Sequence, residues 1–187
     1  MFIQTEATPN PATLKFLPGQ SVLDTGTADF PSSTAAEASP LASRIFKVAG
    51  VENVFLGYDF ATVTKADAVD WDDIKPAILG AVMEHFQSGD PVMAGEALPS
   101  SGHAEFEGED AHVVGQIKEL LDTRVRPAVA QDGGDITFYG FDDGIVYLHM
   151  QGACAGCPSS TLTLKMGIEN LLRHYIPEVA EVRPVAV

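Results

Sequence analysis

Apolar positions change their spacing several times along this chain, and each change marks an element. Residues 3–6 and Thr13–Leu17 read as short extended pieces on either side of Thr8-Pro9-Asn10-Pro11. Two prolines so close together exclude a helix or a central strand there, so the stretch is a turn or an extended connection. Residues 24–40, DTGTADFPSSTAAEASP, have the composition of a loop. Leu41, Ile45, Phe46 and Ala49 then recur at helical spacing, and Gly50 predicts the stop. Val51–Leu56 and residues 60–65 predict a strand pair around Gly57-Tyr58-Asp59. Asp70 or Asp72 predicts the cap of a helix with Ile74, Ile78, Val82 and Phe86 on one face. Pro76 falls in its first turns, where a missing N–H costs least.

A similar pattern returns further on. Val113, Ile117, Leu120, Leu121 and Val125 line one helical face, which the spacing ends at Arg126-Pro127. Gln131-Asp132-Gly133-Gly134-Asp135 predicts a turn that needs a permissive backbone. Residues 136–141 and 145–150 predict a hairpin across Asp142-Asp143-Gly144. Leu164, Ile168, Leu171, Leu172 and Tyr175 share a helical face, Pro177 stops it, and residues 179–184 predict a last strand. Each half therefore shows a hairpin followed by a helix. The expected fold class is α+β: two small two-layer domains, each a short sheet with helices on one face.

Charge sharpens the division. The 187 residues carry 26 acidic and 11 basic side chains, a net −15. Residues 96–110, EALPSSGHAEFEGED, hold 5 acids and no Lys or Arg. That composition reads as a self-repelling flexible linker. The expected division is a first domain over 1–88, a linker over 89–110 and a second domain over 111–187. The acidity argues against nucleic acid as a partner, because binding a phosphate backbone needs basic surface. It argues equally against an anionic membrane surface, and no apolar run reaches the roughly 20 residues of a membrane helix. The start, MFIQTEATPNP, has neither the pattern of a secretory signal nor that of a mitochondrial presequence, so the expected location is cytoplasmic or that of a processed chain.

The chemistry gathers at Cys154-Ala155-Gly156-Cys157, which holds both cysteines of the chain. Two intervening residues let both sulfurs reach one metal or each other. Pro158 fits a first helical position, so the thiols are expected at a helix N-terminus, where the dipole lowers thiol pKa. Four readings stand open on the residues alone. Two small thiols in a tight turn is the plainest. A thiol–disulfide oxidoreductase is the second, although the preceding hairpin does not look like a thioredoxin βαβ start. A zinc site is the third; it needs two more ligands, and His149 and His174 are the nearest candidates. The fourth is an iron–sulfur cluster, which takes four thiolates and so two chains.

The segment RVRPAVAQDGGDITFYGFDDGIVYLHMQGACAGCPSSTLTLKMGIENLLRHYIPEV, residues 124–178, resembles the NifU C-terminal, or Nfu, domain. The opening MFIQTEATPNPATLKFLPG, with the rest to about residue 88, resembles the N-terminal domain that accompanies it in Nfu proteins. The resemblance implies an iron–sulfur scaffold and carrier without catalytic turnover. It would hold a labile [4Fe–4S] cluster, with [2Fe–2S] as the other form, between the subunits of a homodimer. Carried onto this chain, the ligands are Cys154 and Cys157 and no other residue. The implied partners are apo iron–sulfur clients, such as lipoyl synthase and aconitase, and upstream assembly proteins, with the first domain serving recognition. The implied location is the cytoplasm of a bacterium, or the mitochondrial matrix once a presequence is removed.

The other polar residues carry plainer expectations. Asp132 to Asp135 make and solvate a turn, Arg124 and Arg126 end a helix, and Asp72-Asp73 start one. His85, His103, His112, His149 and His174 show no ligand spacing, and Trp71 is expected at the edge of a core.

Overall fold

A computed structural model describes residues 1–95, 102–155 and 158–185. The described chain forms two compact units, Met1–Ser100 and Ser101–Val187. Both are α+β.

The first unit holds a five-stranded antiparallel sheet in the order β1-β2-β5-β4-β3. The strands are β1 (Gln4–Ala7), β2 (Thr13–Leu17), β3 (Ala28–Phe30), β4 (Val51–Leu56) and β5 (Ala61–Lys65). Asn10 shapes the β1–β2 turn by accepting the Ala12 N–H at 3.0 Å through its Oδ1. Helix α1 (Pro40–Phe46) is capped by Ser39, whose Oγ accepts the Ala42 N–H at 3.1 Å. Helix α2 (Trp71–Ser88) starts after Asp70, whose carbonyl, not its side chain, accepts the first N–H groups. Ile74, Ile78 and Val82 enter the core from α2, and Leu41 and Ile45 from α1. Trp71 packs at the core edge and donates its indole N–H to the Pro11 carbonyl at 3.0 Å.

The loop expected over 24–40 contains β3 and a 3-10 turn, Ala35–Ala38. Three residues make no periodic pattern. The strand exists because Ala28 pairs with Leu56 and Phe30 with Val54 across the sheet.

The second unit holds a three-stranded sheet, β6-β7-β8. Strands β6 (Gly134–Asp142) and β7 (Ile145–Gly152) form the expected hairpin, and β8 (Glu181–Val185) returns parallel to β7. Asp143 and Gly144 turn the hairpin with φ of 47° and 78°, angles that suit an Asp-Gly pair. Helices α3 (Ala111–Leu120), α4 (Arg126–Gln131) and α5 (Pro158–Tyr175) complete the unit. Ile117, Leu121, Ile136, Phe138, Leu148, Leu172 and Val182 meet in its core. Truncating the fully buried Leu172 to alanine should cost about 2–5 kcal/mol of this unit's stability, read as an earlier midpoint in urea unfolding of the full chain.

The helix expected to end at Arg126-Pro127 does not end there. A π turn over Leu121–Val125 widens it, and α4 then begins with Pro127 in its first turn. Proline lacks an N–H to donate, and a first turn has no use for that donor.

The described ends of the acidic segment 89–110 belong to the units. Ser39 Oγ donates to the Val92 carbonyl at 2.6 Å in the first. In the second, the Ala104 N–H donates to the Phe138 carbonyl at 2.8 Å, and His103 Nδ1 accepts the Phe138 N–H at 2.9 Å. Phe106 meets the Phe138 ring edge-on at 6.3 Å. These contacts close part of the β6 edge, which would otherwise expose unpaired backbone groups. His103→Ala should cost roughly 1–3 kcal/mol, because the Phe138 N–H loses its acceptor. Amide exchange at Phe138 gives the direct reading: faster in the variant, unchanged if the contact contributes nothing.

Candidate cysteine site

The β6–β7 hairpin carries Cys154 to one end of the second unit. Its strands pair Gly134 with Gly152 and Asp135 with Gln151, and the chain then turns through Ala153 and Cys154. The turn is fixed by the backbone. Ala153 N–H donates to the Gly133 carbonyl at 3.2 Å, Cys154 N–H to Gln151 at 3.3 Å and Ala155 N–H to Gly152 at 3.1 Å. Thr161, in the first turns of α5, donates its hydroxyl to the Cys154 carbonyl at 3.2 Å. Cys154 is thus tied to both the hairpin and the helix.

Its sulfur lies against the β6 backbone at Gly134. A Cβ built on Gly134 would fall on the Cys154 Sγ, 2.9 Å from the Gln151 carbonyl oxygen and 3.0 Å from the Cys154 nitrogen. Only a residue without a side chain fits there.

Cys154 is buried, 6% exposed. Burial, with the nearby negative charges of Asp132 and Asp135, pushes its thiol pKa up to about 12. The expectation of a helix-lowered thiol pKa therefore fails at Cys154: the sulfur is tucked into the core, where ionisation costs solvation. In this conformation it is a neutral thiol at physiological pH. Service as a metal ligand would require loss of that proton. The raised pKa also sets a linkage. The folded chain holds this proton where the unfolded chain releases it, so the contribution is intact below about pH 9 and lost as pH rises towards 12. Unfolding midpoints of the apo chain should fall with pH in that window, and less so in Cys154→Ser.

Cys157 lies outside the described residues, so both sulfurs are not seen together. Among the described residues, no three His, Cys, Asp or Glu side chains gather in a way that could hold a metal ion.

Beside the turn sits a polar network that the sequence did not reveal. Asp135, 3% exposed, takes a bidentate pair from Arg126, with Nε to Oδ1 and Nη2 to Oδ2 both at 2.8 Å. Arg126 Nη1 also donates to Asp122 at 3.0 Å, and the same Asp122 oxygen meets His103 Nε2 at 2.8 Å. Asp135 holds the Arg126 guanidinium firmly in its charged form. Burial opposes ionisation of Asp122, but Arg126 and His103 overcome it and keep its carboxyl below the usual range. Asp122 therefore favours the fold above the unfolded carboxylate pKa, and that contribution fades as pH falls through the lowered folded value.

Asp135 is thus no solvated turn residue, and Arg126 does more than end a helix. Together they clamp the start of β6, one residue from the Gly134 cradle. Arg126→Met should cost about 3–5 kcal/mol by leaving Asp135 buried and unpaired, whereas a double change of Arg126 to Met and Asp135 to Leu should recover much of it. A double-mutant cycle on the urea midpoint measures this.

The remaining candidates play structural parts. Arg124 lies over the Tyr175 ring at 5.2 Å. His85 is buried on α2, and burial with the Arg44 charge lowers its pKa. Neither of its ring nitrogens finds a hydrogen-bond partner among the described residues. His149 and His174 gather no ligand set with Cys154.

Comparison with known proteins gives a consistent answer across the chain. Residues 3–89 match the family described as scaffold protein Nfu/NifU N terminal, and residues 117–183 match the NifU-like domain family. A human protein named "NFU1 iron-sulfur cluster scaffold homolog, mitochondrial" is 54% identical over 186 residues, covering 99% of this chain and 72% of its own. "NifU-like protein 4, mitochondrial" of Arabidopsis thaliana is 53% identical over 181 residues, covering 96% of this chain. The chain spans 64% of that protein's length and 66% of the length of Arabidopsis "NifU-like protein 5, mitochondrial". A solved NifU-like protein from Saccharomyces cerevisiae aligns with 51% of this chain and 87% of its own, at 30% identity and a TM-score of 0.47.

Proposed function

The chain belongs to the Nfu/NifU-like family of iron–sulfur cluster scaffold proteins, whose relatives are scaffolds and not enzymes, and from that premise we propose that Cys154 and Cys157 of two chains together hold one labile [4Fe–4S] cluster and pass it to apo-proteins. The observation that supports this most is the tethering of Cys154. Cys154 sits between a hairpin and a long helix at one end of the unit, its backbone held on both sides and its sulfur sheltered against Gly134.

The donor set suits the cargo. Cys154 supplies one thiolate, and Cys157 follows three positions on, close enough in sequence to reach the same cluster. Two chains complete the four thiolates that a cubane takes. The Gly134 cradle that shelters the Cys154 sulfur gives it a resting place when no cluster is held. The cost of ionising the buried sulfur favours release at Cys154, whose thiolate, once given up by the cluster, returns to a stable neutral thiol. A client whose thiolates replace Cys154 and Cys157 one by one would take the cluster without any other catalytic group here.

In this reading residues 1–88 recognise clients or assembly proteins, 89–110 joins the domains, and 111–187 holds the cluster. The first domain contains no cysteine. The mitochondrial relatives support a place in the mitochondrial matrix, with the bacterial cytoplasm as its counterpart.

Cluster transfer tests the function. The reconstituted chain, mixed anaerobically with an apo [4Fe–4S] dehydratase, should restore the client's activity faster than equal free iron and sulfide. Restoration no faster than with the free ions would refute the carrier role.

A further inference from the structure

We propose that the exposed face of α5 formed by Leu162, Thr163, Met166, Gly167 and Asn170 is where a second copy of this chain docks to complete the cysteine site. The inference rests on the carrier reading and adds the surface that the two-chain site uses.

Three observations converge on it. The first is position. Thr161 bonds the Cys154 carbonyl, so Leu162 and Met166 begin the helix face that leads directly away from the cysteine loop.

The second is exposed apolar surface. Leu162 and Met166 are each 57% exposed, one helical turn apart. Gly167 beside them is exposed, and a Cβ there would meet nothing within 4 Å. A helix lets another backbone approach closely at such a position.

The third is charge. Two chains of net −15 repel each other, so a self-contact needs a face free of carboxylates. Residues 144–164 contain no Asp, Glu, Lys or Arg, the longest such stretch in the sequence. The charged residues that follow on α5 are occupied with their own unit. Lys165 pairs with Glu181 at 3.7 Å, and Glu169 accepts the Val182 N–H at 3.1 Å. Both are drawn towards β8, and Arg173, one turn beyond Asn170, pairs with Glu169 at 3.8 Å, so the face of Leu162, Thr163, Met166, Gly167 and Asn170 has no charged side chain of its own. In a two-fold contact this face meets itself, and a neutral face meets itself without repulsion.

The test uses the full chain with Met166→Glu, which sets two carboxylates against each other across the two-fold axis. Met166→Leu is the conservative partner, and Tyr58→Glu, on the first unit, is a control for surface charge. Each is reconstituted anaerobically with iron and sulfide and sized, and thermal unfolding of the apo chain checks the fold. A photo-crosslinking residue at Leu162 reports contact directly. We expect Met166→Glu to keep its melting temperature and lose at least tenfold of the iron-bearing dimer. Met166→Leu and Tyr58→Glu should keep the dimer, and the Leu162 probe should give chain-to-chain adducts on reconstitution. A Met166→Glu chain that forms the loaded dimer normally would overturn the docking face and leave the carrier reading standing. A loaded dimer that forms normally, with Met166→Glu failing only in delivery to a client, would assign the face to clients and also overturn the proposal. If the unaltered chain takes up no iron and sulfide, the carrier reading fails and the docking face with it.

Discussion

Replacing either Cys154 or Cys157 by alanine should strip the reconstituted chain of its iron and sulfide. The expected fall is from about four irons per two chains to less than a tenth of that, because one missing thiolate per chain leaves two of four corners of a shared cubane without protein ligands. The two changes should differ in what they do to the apo chain. Cys154 is buried beside Gly134, Ile136 and Met150 belong to the same core, and its replacement leaves a small void. Cys154→Ala should therefore lower apo stability by about 1 kcal/mol. Cys154→Ser should cost more, since a hydroxyl would be buried where a thiol behaved as a small apolar group. Iron and sulfide analysis beside urea unfolding separates ligand loss from fold loss. Retention of a full cluster in Cys154→Ala would refute its role as a ligand.

Gly134→Ala should be among the most damaging single-atom additions in the second unit. Two of the three atoms its Cβ would meet belong to backbone, the Gln151 oxygen and the Cys154 nitrogen. Neither can swing aside as a flexible side chain would. The third, the Cys154 sulfur, has to leave its resting place. We expect a loss of roughly 1–3 kcal/mol, the usual cost of overpacking, which lowers the melting temperature by several degrees. We also expect faster alkylation of Cys154 at neutral pH, because a displaced sulfur regains solvent and a lower pKa. Gly115→Ala on α3 is the matching control. Nothing lies within 4 Å of a Cβ there, and a helical Gly→Ala change should stabilise by about 0.5–1 kcal/mol. Unchanged thiol reactivity in Gly134→Ala would show that the cradle does not hold the sulfur.

Most of the architecture was legible because it is periodic. The α2 face of Ile74, Ile78 and Val82 follows one helical spacing and is buried along it, and the β4–β5 pair and the β6–β7 hairpin fall where apolar runs flank a turn, although β4 buries Val54, Phe55 and Leu56 in succession. What escaped had no local signal. Strand β3 is three residues long and exists through its pairing with β4. Pro127 read as a helix end because proline usually is one, yet the π turn before it places the residue where its missing N–H is harmless.

The cysteine site was legible in composition but not in its resting state. Two cysteines three positions apart marked the loop, and the placement of a helix right after it came from Pro158 and the apolar spacing beyond. The burial of Cys154 did not follow from either. It depends on Gly134, twenty positions earlier, which a turn-forming Gly-Gly pair explained too easily. The Arg126–Asp135 clamp was hidden for the same reason. An aspartate beside glycines reads as a turn residue, and its partner is nine positions away on a helix that the sequence had already ended.

The measurement that bears most directly on the central claim is anaerobic reconstitution of the full chain, followed by iron and sulfide analysis of each size-resolved species. The account predicts about four irons and four sulfides per two chains, confined to the dimer. A monomer without iron, whose two thiols cycle reversibly through a disulfide, would contradict it and make the chain a thiol–disulfide oxidoreductase.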